Sequence, residues 1–191
     1  HLGGVTVVGL GQSRPGLSIM GVNLAFGYGL TTGPVENLTT GWRYDYLQHA
    51  ISAAADGDVI LAEPGTYREK LRFAGKDITV TSADPQDPAV RAATVITGGG
   101  QLVGFDSGET QDCLFTGFTL TGGSIGLSCN SSDPTISYCD ISGNRDAGIK
   151  LWGKSKATVS CCDIPANGLG VEMWADTSSR RILRSAGVFR N

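Results

Sequence analysis

Histidine is almost missing from this chain: among 191 residues only His1 and His49 carry an imidazole, one at the first position and one in a short segment of helical spacing. Neither position suggests a general base. Charge is also scarce, at 17% of residues, and the net value of −3 gives no basic footprint for nucleic acid or for an anionic membrane surface. No run of 18 apolar residues exists, so no helix here is built to span a bilayer. Cysteine spacing excludes a zinc site of the Cys-x-x-Cys kind, because Cys113, Cys129, Cys139, Cys161 and Cys162 stand either far apart or directly adjacent. Helices do not fit the last third, where apolar runs are only three to six residues long and end in Gly, Asn or Pro.

What the chain does have is glycine, 28 of them, and a repeat. Pro134-Thr135-Ile136-Ser137-Tyr138-Cys139-Asp140-Ile141-Ser142-Gly143-Asn144 lies over Ala157-Thr158-Val159-Ser160-Cys161-Cys162-Asp163-Ile164-Pro165-Ala166-Asn167 position for position, a period of about 23 residues. A weaker copy runs from Phe115 to Gly123, and another begins at Arg180-Arg181-Ile182-Leu183. Between copies comes a second short alternation: Ile125-Gly126-Leu127, Ile149-Lys150-Leu151 and Val171-Glu172-Met173. Short strands and Gly/Asn turns at this period predict a solenoid, whose coils bury their inner faces only by stacking on one another.

On these residues the chain resembles the right-handed parallel β-helix proteins of the pectin-lyase-like superfamily. The resemblance extends to Asp56-Gly57-Asp58-Val59-Ile60-Leu61-Ala62-Glu63-Pro64-Gly65-Thr66-Tyr67, similar to the opening coil of many such proteins, and to Lys76-Asp77-Ile78-Thr79-Val80-Thr81-Ser82 as the next coil. It implies an all-β, right-handed parallel β-helix from about residue 43 onward. It leaves activity open, since the superfamily holds lyases, hydrolases, epimerases, adhesins and phage fibres. About 145 residues belong to the coils, room for roughly six turns at this period. Asn144 and Asn167 close equivalent turns and resemble the asparagine ladders of known β-helices, a role in stability. No pectate-lyase or polygalacturonase catalytic signature is present.

A single solenoid domain preceded by an arm is predicted. Residues 42–191 hold a short N-terminal capping helix, from the helical spacing of Tyr46, Leu47, Ala50, Ile51 and Ala54 with Asp56-Gly57 as its stop, and then the β-helix. Residues 1–41 form an extended apolar arm. Within it Val22, Leu24, Phe26, Tyr28 and Leu30 alternate with small residues, a strand with one bulky face. Such an arm must pair, either along its own coils or with a second copy by strand donation. The C-terminal coil, with Ile182, Leu183, Val188 and Phe189, shows no capping helix and is expected to offer an open edge. Heterologous contacts of this kind that do not close make filaments.

Candidates for chemistry are few. Asp140 and Asp163 stack after Thr119 and have the residue type for an acid/base pair or a calcium ion, but no third polar partner is evident, and solvated carboxylates are the preferred reading. The acidic loop Asp106, Glu109, Asp112 lacks EF-hand spacing and reads as a solvated turn. No metal or other cofactor is called for; calcium is the one ion considered. Gly126, Lys150 and Glu172 are aligned as an outward column with a Lys150–Glu172 salt bridge. Trp152, Trp174 and Tyr138 offer a sugar-stacking surface, though partial burial at turns is the preferred state of both tryptophans. Cys139 and Cys162 fall in register about 4.8 Å apart, which permits a disulfide; stacked buried thiols are preferred. The chain opens on His1, as removal of a signal peptide would leave it, and Asn37 and Asn130 stand in sequons compatible with glycosylation.

The expectation is therefore an extracellular or cell-surface structural subunit of a fibre or surface layer, whose partner is itself, polymerising head to tail by N-terminal strand donation. The alternative is a carbohydrate-binding or polysaccharide-cleaving β-helix with an extracellular polysaccharide as partner.

Overall fold

A computed structural model describes residues 33–174. Val22, Leu24, Phe26, Tyr28 and Leu30 of the arm lie outside the described residues, as do Ile182, Leu183, Val188 and Phe189. The chain enters through an antiparallel pair, β1 (Val35–Asn37) and β2 (Trp42–Tyr44), followed by helix α1 (Leu47–Ala53). Five coils follow. The first is β3 (Val59–Ala62), β4 (Gly65–Tyr67) and β5 (Leu71–Arg72); the second is β6 (Thr79–Ser82), a helix α2 (Pro88–Ala93), β7 (Thr94–Ile96) and β8 (Gln101–Phe105). The third is β9 (Leu114–Thr116), β10 (Thr119–Leu120) and β11 (Ile125–Asn130). The fourth is β12 (Thr135–Ser137), β13 (Asp140–Ile141) and β14 (Ala147–Trp152), and the fifth β15 (Thr158–Ser160), a bridge at Asp163 and β16 (Leu169–Met173).

Corresponding strands stack into three sheets, ordered β15-β12-β9-β6-β3-β1-β2, β13-β10-β7-β4 and β16-β14-β11-β8-β5. Every coil-to-coil pairing is parallel. Alternation along each strand sends every second register column inward. In the first sheet one such column is Ile60, Val80, Phe115, Ile136 and Val159; in the second it is Tyr67, Ile96, Leu120 and Ile141, all buried. Phenylalanines fill the wide part of the core, with Phe73 on Phe105 (centroids 4.4 Å apart) and Phe115 stacked on Phe118 (4.7 Å).

Helix α1 buries Leu47, Ala50 and Ile51 against the first coil. Its N-cap position is Tyr46, which supplies no capping side chain. The orphan N–H groups of Leu47 and Gln48 are taken up from the next turn of chain by the Glu69 carboxylate, at 3.0 and 2.9 Å. The Gln48 amide in turn brackets Arg72, accepting from its N–H (2.7 Å) and donating to its C=O (3.1 Å), so a side chain does the work of a neighbouring strand at the edge of the third sheet.

The boundary predicted at 41/42 falls inside the β1–β2 hairpin. β1 pairs antiparallel with β3, and the fully buried Asn37 donates to Asp58 at 2.8 Å. Residues 35–41 therefore belong to the first coil's edge. The second departure is α2, inserted between β6 and β7; its signal was Asp87-Pro88, an N-cap whose side chain accepts from Ala89 N–H (2.8 Å) followed by proline at the first helical position.

Candidate functional site

Outward from the third sheet, one register column runs Arg72, Gly104, Ser128, Lys150 and Glu172 through all five coils. Its neighbours along the first four strands are buried, such as Leu127 and Cys129 or Ile149 and Leu151. The sequence alignment that set Gly126 beside Lys150 and Glu172 is corrected: Ser128 holds that place, and Gly126 falls opposite Gly148. Close packing explains the two glycines. A Cβ on Gly126 would lie 2.6 Å from Ile141 Cγ2 and 2.9 Å from Asn144 Nδ2, and one on Gly148 would lie 2.5 Å from Ile164 Cγ2 and 2.7 Å from Asn167 Nδ2. The space a side chain would fill is occupied by the two asparagines of the following turns.

At the last two coils the column carries opposite charges, with Lys150 Nζ 3.1 Å from Glu172 Oε2. The adjacent outward column sets Asn130 opposite Trp152, and Trp174 follows in the next coil, held there by its N–H to Leu151 C=O (2.9 Å). The ammonium of Lys150 stands 5.0 Å from the ring centre of Trp152 and 5.5 Å from that of Trp174. Glu172 accepts the Trp174 indole N–H at 2.5 Å. That bond, and then Lys150, hold the Glu172 carboxyl below the ordinary glutamate value. Trp152 is half-buried, and its buried indole nitrogen has no hydrogen-bond partner. Trp174 is 65% exposed, against the expectation of partial burial, because it stands one residue past the end of β16. Leu169 and Met173 are exposed on the same strand. Two indoles about one strand spacing apart, with a cation and a carboxylate between them, present flat apolar rings beside a hydrogen-bond donor and acceptor. Tyr138 is not brought to them; it sits at the corner between β12 and β13.

Asp140 and Asp163 are stacked in register above Thr119. The third polar group absent from the sequence reading comes from α2: Arg91 Nε lies 3.4 Å from Asp140 Oδ2, and Thr119 Oγ1 donates to the Arg91 carbonyl at 2.9 Å. Arg91 is 49 residues from Asp140, and only the inserted helix joins them. This is an ion pair bracing the helix to the second sheet. In the acidic loop, Glu109 is not a solvated turn residue. Its buried carboxylate accepts from Gly75 N–H (2.9 Å), Ser107 N–H (3.1 Å) and Ser132 Oγ (2.7 Å), tying neighbouring coils together. Among the described residues no group of three or more His, Cys, Asp or Glu side chains could hold a metal ion.

The asparagines stack. Asn144 Oδ1 accepts from Gly123 N–H at 3.0 Å, and its Nδ2 donates to Asn167 Oδ1 at 3.0 Å and Leu120 C=O at 3.1 Å. Of the sequons, Asn130 is exposed, whereas Asn37 uses the nitrogen that would carry a glycan to bind Asp58, and its Oδ1 accepts from Thr39 and Thr40. Burial therefore removes Asn37 as a glycosylation site in the folded chain.

Compared with known proteins, residues 88–190 match the family model described as right handed beta helix region. No curated protein matches the chain.

Proposed function

The chain belongs to the right-handed β-helix family, and from that premise we propose that it binds an extended polysaccharide outside the cell, across the outer face of its fourth and fifth coils. The observation that carries this reading is the pairing of Trp152 and Trp174 around the Lys150–Glu172 ion pair. A pyranose ring has an apolar C–H face that stacks on an indole and a rim of hydroxyls that a cation and a carboxylate bind by hydrogen bonds. A linear chain of such rings lying along the helix axis would meet successive coils in the same way. Asp140, committed to Arg91, supports binding rather than cleavage.

The test is isothermal titration calorimetry with soluble mixed-linkage glucan, xylan and polygalacturonate. One of these is expected to bind, and Trp174→Ala and Trp152→Ala each to weaken it by about tenfold, the loss typical of one central aromatic contact. No heat from any polysaccharide, or equal binding by both variants, overturns the reading.

A second reading rests on the alternation of Val22, Leu24, Phe26, Tyr28 and Leu30. It makes the chain a self-assembling subunit that donates this strand to a neighbouring copy. Negative-stain electron microscopy of the protein with and without residues 1–32 tests it: filaments that vanish on deletion support donation, and unchanged particles end it.

A further inference from the structure

Register places Cys139 and Cys162 one above the other in the fourth and fifth coils, since Asp140 and Asp163, the next residue in each, are bridged. The sulfur of Cys162 lies 3.4 Å from the Cys139 N–H, and each sulfur lies beside the carbonyl two residues before it, Ser137 for Cys139 (3.3 Å) and Ser160 for Cys162 (3.2 Å). Residues paired across parallel strands are separated by about 4.8 Å, within the roughly 4.4–6.8 Å span of Cα atoms that a disulfide bridges. Cys161 does not compete for the position. Its backbone is left-handed (φ 52°), in register with Tyr138 (φ 50°) and Gly117 (φ 86°), and this corner turns Cys161 out to solvent beside the Tyr138 hydroxyl while Cys162 faces Cys139.

The two thiols differ as an attacking and a resolving cysteine should. Cys162 is partly exposed and Cys139 fully buried. The hydrogen bond from Cys139 holds the Cys162 thiol below its ordinary value, while burial pushes Cys139 well above it.

We propose that Cys139 and Cys162 are a thiol–disulfide site that staples the fourth coil to the fifth when a low-molecular-weight disulfide oxidant is present. The Cys162 thiolate attacks one sulfur of the oxidant, a bond forms between them, and the oxidant's S–S bond breaks to release one thiolate that takes a proton. Cys139 then loses its proton and attacks the Cys162 sulfur of the mixed disulfide, releasing the second thiol. In total two protein thiols and one small disulfide become one protein disulfide and two small thiols. The bond closes a loop of one repeat that holds β13, β14 and β15, so it ties the coil bearing Lys150 and Trp152 to the coil bearing Glu172 and Trp174. This consequence rests on the glycan reading; the chemistry of the pair does not.

The experiment treats the purified chain with oxidised glutathione, unfolds it in denaturant at acid pH, blocks remaining thiols with an alkylating agent and maps the peptides by mass spectrometry. Two of the five thiols are expected to escape alkylation, and a single linked peptide pair, Cys139 with Cys162 and lighter by two hydrogens, is expected to appear. The oxidised form should melt at higher temperature than the reduced one. Cys161→Ser should keep the link, and Cys139→Ser and Cys162→Ser should each lose both the link and the shift in melting. Circular dichroism of the two serine variants under reducing conditions should match the parent, so that loss of the link is not loss of fold. Five alkylated thiols after oxidation, a stable glutathione adduct on Cys162 or a link through Cys161 overturns the proposal. Polysaccharide titration of the reduced chain reports the glycan reading separately.

Discussion

Asn144 bonds to groups in three coils, through Gly123 and Leu120 before it, its own turn, and Asn167 after it. Asn144→Ala leaves the Gly123 N–H and the Leu120 carbonyl without that partner in the interior, and the expected loss is about 3 kcal/mol in urea unfolding. Gly148→Ala strikes the same ladder sterically, through Ile164 and Asn167, and should cost about 2 kcal/mol by the same measurement. Glu172 carries a pH signature. Its carboxyl is depressed in the folded chain, so its interactions with Trp174 and Lys150 are fully present above the ordinary glutamate value and are lost as pH falls through the depressed one. Tryptophan fluorescence is expected to change only below the ordinary glutamate range and to be flat in Glu172→Gln; a transition at or above that range contradicts the assignment. The ladder asparagines were legible because each closes a repeat. The glycines beneath them were not, since a glycine between apolar residues reads equally as an outward gap.

Helix α1 depends on an acceptor from outside itself. Replacing Glu69 by Ala leaves the Leu47 and Gln48 N–H groups uncapped, with an expected cost of about 1 kcal/mol and earlier hydrogen exchange at the first turn of the helix. Equal exchange in both proteins would show that the cap contributes nothing. The element itself was legible from Leu47, Ala50, Ile51 and Ala54, whose spacing is helical and whose burial follows. The six residues of α2 were not, because a helix shorter than two turns gives no periodic stripe and only its cap marks it. That miss also hid Arg91, and with it the partner of Asp140.

A solenoid is stabilised by intrinsic coil terms and nearest-neighbour interfaces. Ile136 lies between Phe115 and Val159 in the first-sheet column, so Ile136→Ala should cost about 2–5 kcal/mol in urea unfolding, with faster hydrogen exchange concentrated in the fourth and fifth coils. A uniform rise over all coils would mean that the stack opens as one unit. The sequence by itself determined the solenoid, its period and the turn asparagines. Each of these is a local rule repeated, and repetition makes it readable without a structure, although the register of the third sheet needed the structure to set Ser128 and not Gly126 beside Lys150. What only the tertiary structure decided is every contact that leaves the period: β1 sealing the edge of β3, Glu69 capping α1, Arg91 reaching Asp140, and Glu109 joining separate coils. Those contacts join residues that share no position in the repeat, and their partners are set by how insertions and turns place side chains in space.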